Sequence, residues 1–64
     1  MMKEENIVLE TSAGFVYRQR DGYNVFVNRG LHAEGDSKYP PTADGKSLAE
    51  YRLRYITKRA EEKK

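Results

Sequence analysis

From Asn6 to Arg29 apolar and polar residues alternate with a period of two, and two short turn signals, Ser12-Ala13-Gly14 and Asp21-Gly22, interrupt the pattern. Successive side chains of an extended chain point to opposite faces, so this alternation encodes a half-buried antiparallel sheet and excludes an amphipathic helix over the same residues. Asp-Gly is a strong two-residue hairpin signal, because both residue types tolerate the positive φ that a type I′ turn requires. The spacing predicts three strands, near residues 6–12, 14–20 and 23–29.

A turn at Asp21-Gly22 sets Arg20 opposite Tyr23, Arg18 opposite Val25, Tyr17 opposite Phe26, Val16 opposite Val27 and Phe15 opposite Asn28, and opposed residues share a face. Either two-residue turn for the first hairpin, Ser12-Ala13 or Ala13-Gly14, gives the first strand the same parity. One face then carries Ile7, Leu9, Val16, Val25 and Val27, with Arg18, Arg20 and Tyr23 towards one end. The other carries Val8, Phe15, Tyr17 and Phe26 among Glu10, Gln19, Asn24 and Asn28. The aliphatic face is the expected core.

Between Gly30 and Gly45 the periodicity disappears and Gly, Asp, Ser, Pro and Thr dominate, with Tyr39-Pro40-Pro41 as a rigid extended kink. Residues 30–45 are expected to form a long loop, pinned by Leu31 and Tyr39. A helix follows over residues 47–61. Ser47 and Glu50 fit a capping box, in which the serine hydroxyl accepts an early helical N–H and the glutamate returns to the cap. Ala49, Leu53, Ile56 and Ala60, flanked by Leu48 and Tyr55, form one apolar stripe that fits the aliphatic sheet face. The expected fold is therefore α+β: a three-stranded antiparallel β-meander, a long loop, and one C-terminal amphipathic helix packed on one sheet face. It is read as one small domain over residues 1–64, with 1–5 and 62–64 frayed.

The chain has 64 residues and no cysteine. A domain of this size buries only about 60% of its unfolded surface, which leaves room for one small core and hardly any enclosed pocket. That disfavours most enzyme classes. Without thiols there is no disulfide framework and no thiolate zinc site. Apolar runs such as Ile7-Val8-Leu9 reach only three residues, and residues 1–6 lack the basic-then-apolar order of a signal peptide, so a soluble cytoplasmic protein with no membrane contact is expected.

The net charge of +2 is unevenly spread: −2 over residues 1–14, +2 over 15–29, −2 over 30–45 and +4 over 46–64. An anionic partner would meet the second hairpin and the helix first. Lys and Arg near the helix C-terminus also complement the helix dipole, which accounts for part of the excess without a ligand.

His32, Glu34 and Asp36 stand at alternate positions, but no second histidine or cysteine completes a ligand set, and no metal site is expected. Ser37 and Ser47 lack a nucleophile-elbow context. Asp44-Gly45-Lys46-Ser47 ends like a phosphate loop yet lacks its earlier glycine and preceding buried strand. No catalytic residue, cofactor or small-molecule substrate is expected.

The aromatic face is more informative. Phe15, Tyr17 and Phe26 cluster on adjacent strands with Arg18, Arg20 and Arg29 at the margins, a combination that can stack unpaired bases while neutralising phosphates. The same aromatics would equally serve as a second core beneath the loop, or as an interface with a protein or a second copy. Three strands followed by a helix, together with the segment Phe15 to Tyr23, is similar in element order to the amino-terminal arm-binding domains of phage-type integrases, which would imply a sheet laid in the major groove. The expected function is a small non-catalytic binding protein associated with nucleic acid through Phe15, Tyr17, Arg18, Arg20, Phe26, Arg29, Arg52, Lys58 and Arg59. The alternative is a protein-interaction module, whether homodimer, adaptor or small inhibitor, that uses the aromatic face.

Overall fold

The computed structural model describes residues 6–62. Within them lie β1 (Ile7–Thr11), β2 (Gly14–Gln19), β3 (Gly22–Arg29), β4 (His32–Tyr39) and α1 (Ala43–Glu62). The strands form one antiparallel sheet in the order β1-β2-β3-β4, with α1 across one face. The α+β class holds, but the sheet has four strands, not three. The expected fraying of residues 1–5, 63 and 64 lies outside the described residues, whereas Glu62 belongs to the helix.

The fourth strand replaces most of the loop expected over residues 30–45. Its side chains, His32 to Tyr39, alternate too weakly in polarity to announce a strand, because β4 is an edge strand held mainly by backbone hydrogen bonds to β3. Its turn was nonetheless encoded. Gly30 has φ +69 and Leu31 follows without positive φ, the pattern of a type II′ hairpin with glycine first. Leu31 is fully exposed at this tip and pins nothing, while Tyr39 packs against the core. A fourth strand also departs from the element order of the integrase arm-binding domains.

The second hairpin turns one residue earlier than the Asp-Gly signal suggested. Gln19 pairs with Gly22 across Arg20-Asp21, so Arg18 opposes Tyr23, Tyr17 opposes Asn24, Val16 opposes Val25 and Phe15 opposes Phe26. Gly22 has φ +149, and a Cβ there would come within 2.2 Å of the Tyr39 carbonyl oxygen on β4. That close approach ties glycine to the first position of β3. Because every partner moved by two residues, the face assignments of β2 and β3 survive. The first hairpin uses Ser12-Ala13, with Thr11 opposite Gly14.

The first two residues of β1 do change faces. A bulge between Ile7 and Leu9 lets Ile7 pair with Tyr17 while Val8 and Leu9 both pack against the core, so Ile7 and Val8 exchange the places that strict alternation gives them.

The helix starts at Ala43, not near Ser47. Thr42 directly follows Pro40-Pro41, and its Oγ1 accepts the Gly45 N–H at 3.0 Å while its carbonyl accepts the Lys46 N–H at 2.9 Å. This is N-cap geometry with Asp44 in the first turn. Ser47, the cap expected from the sequence, instead lies inside the helix. The core is Val16, Val25, Ala49 and Leu53, all fully buried, with Val8, Leu9, Tyr23, Tyr39 and Ile56 around them. Ala60, expected in the stripe, is exposed. Thr57 Oγ1 lies 2.7 Å from both the Leu53 carbonyl and Thr11 Oγ1, which ties the C-terminal half of α1 to β1. No helix among the described residues is long and apolar enough to cross a membrane.

Leu53→Ala is expected to destabilise the fold by about 2–5 kcal/mol, the range for emptying a closed core position. Leu48→Ala, at a half-exposed helix position, should stay within about 0.5 kcal/mol in the same urea titration.

Candidate functional site

Two surfaces gather the residues singled out in the sequence. On the sheet face opposite α1, Phe15 and Phe26 are direct cross-strand partners, with ring centroids 5.1 Å apart and planes inclined by 20°. Such an offset pair adds about 0.5–1.5 kcal/mol to the burial of the rings. Tyr17 and Ile7 continue the row; Tyr17 is buried, and its hydroxyl accepts a long hydrogen bond from Asn6 Nδ2 at 3.5 Å. Asn24 donates its amide to Gln19 on the same face. The only charged positions in the paired strands on this face are Glu10, opposite Phe15, and Lys38, opposite Asn24. Lys38 is ion-paired with Asp21. Because residues 30–45 mostly lie in the plane of the sheet as β4, they do not lie over the half-buried Phe15–Phe26 pair, whereas Tyr17 is buried.

The second surface is a groove of about 480 Å³ between the β3–β4 end of the sheet and the C-terminal half of α1. Arg29, Arg52 and Arg59 line it around Tyr55 and Asp36. The helix supplies three of these by spacing alone, since positions 52, 55 and 59 stand three and four residues apart on one side. The Arg52 and Arg59 guanidinium carbons lie 5.8 and 6.0 Å from the centroid of the Tyr55 ring, at cation–π range.

Asp36 reaches the groove because of an irregularity in β4. Val25 pairs with Ser37 and Phe26 with Gly35, which leaves Asp36 as the extra residue of a bulge. Arg52 grips it with two hydrogen bonds, Nε to Oδ2 at 2.9 Å and Nη2 to Oδ1 at 3.2 Å, and Ser37 Oγ donates a third at 2.8 Å. The Arg52 hydrogen bonds hold the Asp36 carboxyl below the usual carboxylate range against the opposing effect of partial burial, and Asp36 in turn raises the Arg52 guanidinium. Nearby, Glu34 lies 3.8 Å from Arg29 and 3.6 Å from His32. No cluster among the described residues is placed to hold a metal ion.

The combined basic and aromatic surface of the sequence reading does not assemble. Strand alternation puts Phe15, Tyr17 and Phe26 on one face and Arg18 and Arg29 on the other. Arg18 and Arg20 sit at the β2–β3 turn, whereas Arg29 stands at the far end of β3 beside Arg52 and Arg59. Lys58 is exposed on the helix. Asp36 and Tyr55 were missed as site residues. The first was read as loop, and the second as a packing residue, although its position between two arginines at helical spacing was legible. Comparison of the chain with known protein families, curated proteins and solved structures finds no match.

The Asp36–Arg52 pair makes stability depend on pH. A carboxyl depressed in the fold contributes fully above its unfolded value, about 4, and the contribution is lost as pH falls through its lower folded value. With Arg52 side-chain exposure at 42%, the contribution is about 0.5–1 kcal/mol. Asp36→Asn should therefore lower stability by that amount at neutral pH, and the difference should shrink towards zero in urea titrations near pH 2.

Proposed function

We propose that this protein is a small non-catalytic module that associates with nucleic acid through its helix side. The observation that carries the reading is the convergence of Arg29, Arg52 and Arg59 on one groove around Tyr55. Guanidinium groups match phosphate oxygens bidentately and keep their charge at every physiological pH. Asp36 fixes Arg52 in place and offsets part of its charge, so Arg29 and Arg59 are the principal phosphate contacts. Tyr55 is 46% exposed and Tyr51 71%, which gives an unpaired base a ring to stack on beside the cations. Lys58 on the same helix and Arg18 and Arg20 at the distal turn extend the basic flank. This reading moves the stacking role from Phe15, Tyr17 and Phe26 to the helix tyrosines, because the sheet aromatics share their face with no arginine.

A second reading, a protein-interaction surface, is favoured by a separate observation: the Phe15–Phe26 pair with Ile7 and Tyr17 on a face of near-zero charge. Apolar patches of that kind mark protein contacts more often than phosphate contacts.

Fluorescence anisotropy with random single- and double-stranded oligonucleotides tests the first reading. Two to three phosphate contacts predict an affinity loss of about 10- to 40-fold between roughly 50 and 200 mM salt. Arg29→Ala and Arg59→Ala should each weaken binding to all sequences alike and reduce the salt slope by about one. Tyr55→Ala should weaken single strands more than duplexes. No binding at low salt sinks the reading.

A further inference from the structure

We propose that Arg52 reads a base and selects guanine in a single strand, an inference that rests on the reading of the groove as a nucleic-acid site. Arg52 differs from Arg29 and Arg59 in being clamped. Its Nε and Nη2 donate to the two oxygens of Asp36 at 2.9 and 3.2 Å, which commits the side edge of the guanidinium. Ser37 Oγ fixes the same carboxylate at 2.8 Å, and the β4 bulge ties Asp36 to the sheet. A guanidinium is planar and carries donors around its rim, so a grip on the side edge sets the direction of the end edge, Nη1 with the second N–H of Nη2. Among the described residues no hydrogen bond takes that end edge. The Arg52 side chain is 42% exposed and lines the groove, so the fork is both preset and accessible.

Charge decides between phosphate and base. Asp36 balances Arg52, so the pair attracts a phosphate weakly, and the carboxylate repels one that comes close. A neutral acceptor meets the same two donors without that repulsion. Guanine presents two adjacent acceptors, O6 and N7, on its major-groove edge, whereas adenine sets an amino donor beside N7 and thymine sets a methyl group beside O4. Unpaired cytosine also offers two neighbouring acceptors, N3 and O2, but its single ring covers less of an aromatic platform than a purine does, and stacking strength sets preference on such platforms.

The platform stands beside the fork. Tyr55 follows Arg52 by about one helical turn, its ring centroid lies 5.8 Å from the Arg52 guanidinium carbon, and the residue is 46% exposed. A base resting on Tyr55 therefore brings its edge within reach of Arg52. Arg29 and Arg59 line the same groove for the adjoining phosphates, and its volume of about 480 Å³ falls within the range of small-ligand clefts.

Fluorescence anisotropy at low salt with thymine strands that carry one central guanine, adenine, cytosine or 7-deazaguanine tests the assignment. The guanine strand should bind at least about fivefold more tightly than the adenine, cytosine and all-thymine strands. 7-Deazaguanine keeps O6 and the double ring but replaces N7 by a C–H, and it should lose most of that preference. Arg52→Lys, which keeps the charge without the fork, should reduce the preference to within about twofold. Asp36→Asn releases the fork and removes the opposing charge, so it should bind the all-thymine strand more tightly while its guanine preference falls to within about twofold. A merely structural role for Asp36 would weaken every strand alike. Equal binding of the four bases, cytosine matching guanine, or a preference that survives 7-deazaguanine or Arg52→Lys overturns the guanine assignment and leaves the nucleic-acid reading standing. No binding to any strand overturns both.

Discussion

Four side chains with no exposed surface, Val16 and Val25 from the central strands and Ala49 and Leu53 from the helix, hold this protein together. Each strand and the helix are too short to persist alone, since an isolated hairpin is marginal in water and helices gain most of their stability from tertiary packing. The helix therefore depends on the sheet for its apolar partner, and the sheet on the helix for its cover. One helix covers one face only. The opposite face, with Phe15 stacked on Phe26, is the unavoidable remainder of that arrangement.

How much of this was legible in the chain depended on which physical signal each part carries. Face assignments in β2 and β3 survived an error in the turn position because side-chain parity is insensitive to a two-residue shift of partners. A one-residue shift of partners would have set the side chains of one strand on the wrong face relative to the other. The helix stripe was legible for Ala49, Leu53 and Ile56, whose spacing records the surface they meet. β4 was not legible, because an edge strand needs neither a continuous apolar face nor β-branched residues, and its polar sequence resembles a loop. Only Gly30, the residue whose positive φ sets the β3–β4 turn, marked it. The helix start was misplaced because Ser47 and Glu50 have the spacing of a capping box, while the residue that caps it, Thr42, follows directly on Pro40-Pro41.

The candidate site shows the same division. Charge segregation along the chain pointed correctly to the second hairpin and the helix as the basic parts, but linear charge cannot say on which face a residue emerges. Arg29 belongs with Arg52 and Arg59 because β3 runs the length of the sheet and the helix returns over its far end. Asp36 joins them only through a bulge, and a bulge depends on where pairing on both sides leaves a residue over. The sheet thus separates the chemistry of the chain into an arginine-lined side and a nearly neutral aromatic side.

The helix that covers the core follows all four strands in chain order. During vectorial synthesis all four strands leave the ribosome before the residues that shelter Val16 and Val25 exist, so the meander must wait with both faces wet. Closure of this core therefore waits until α1 has emerged, and the hydroxyl contact between Thr11 and Thr57 joins an early residue of that interval to a late one. A chain interrupted after Tyr39 would contain the entire sheet and still lack half of its core.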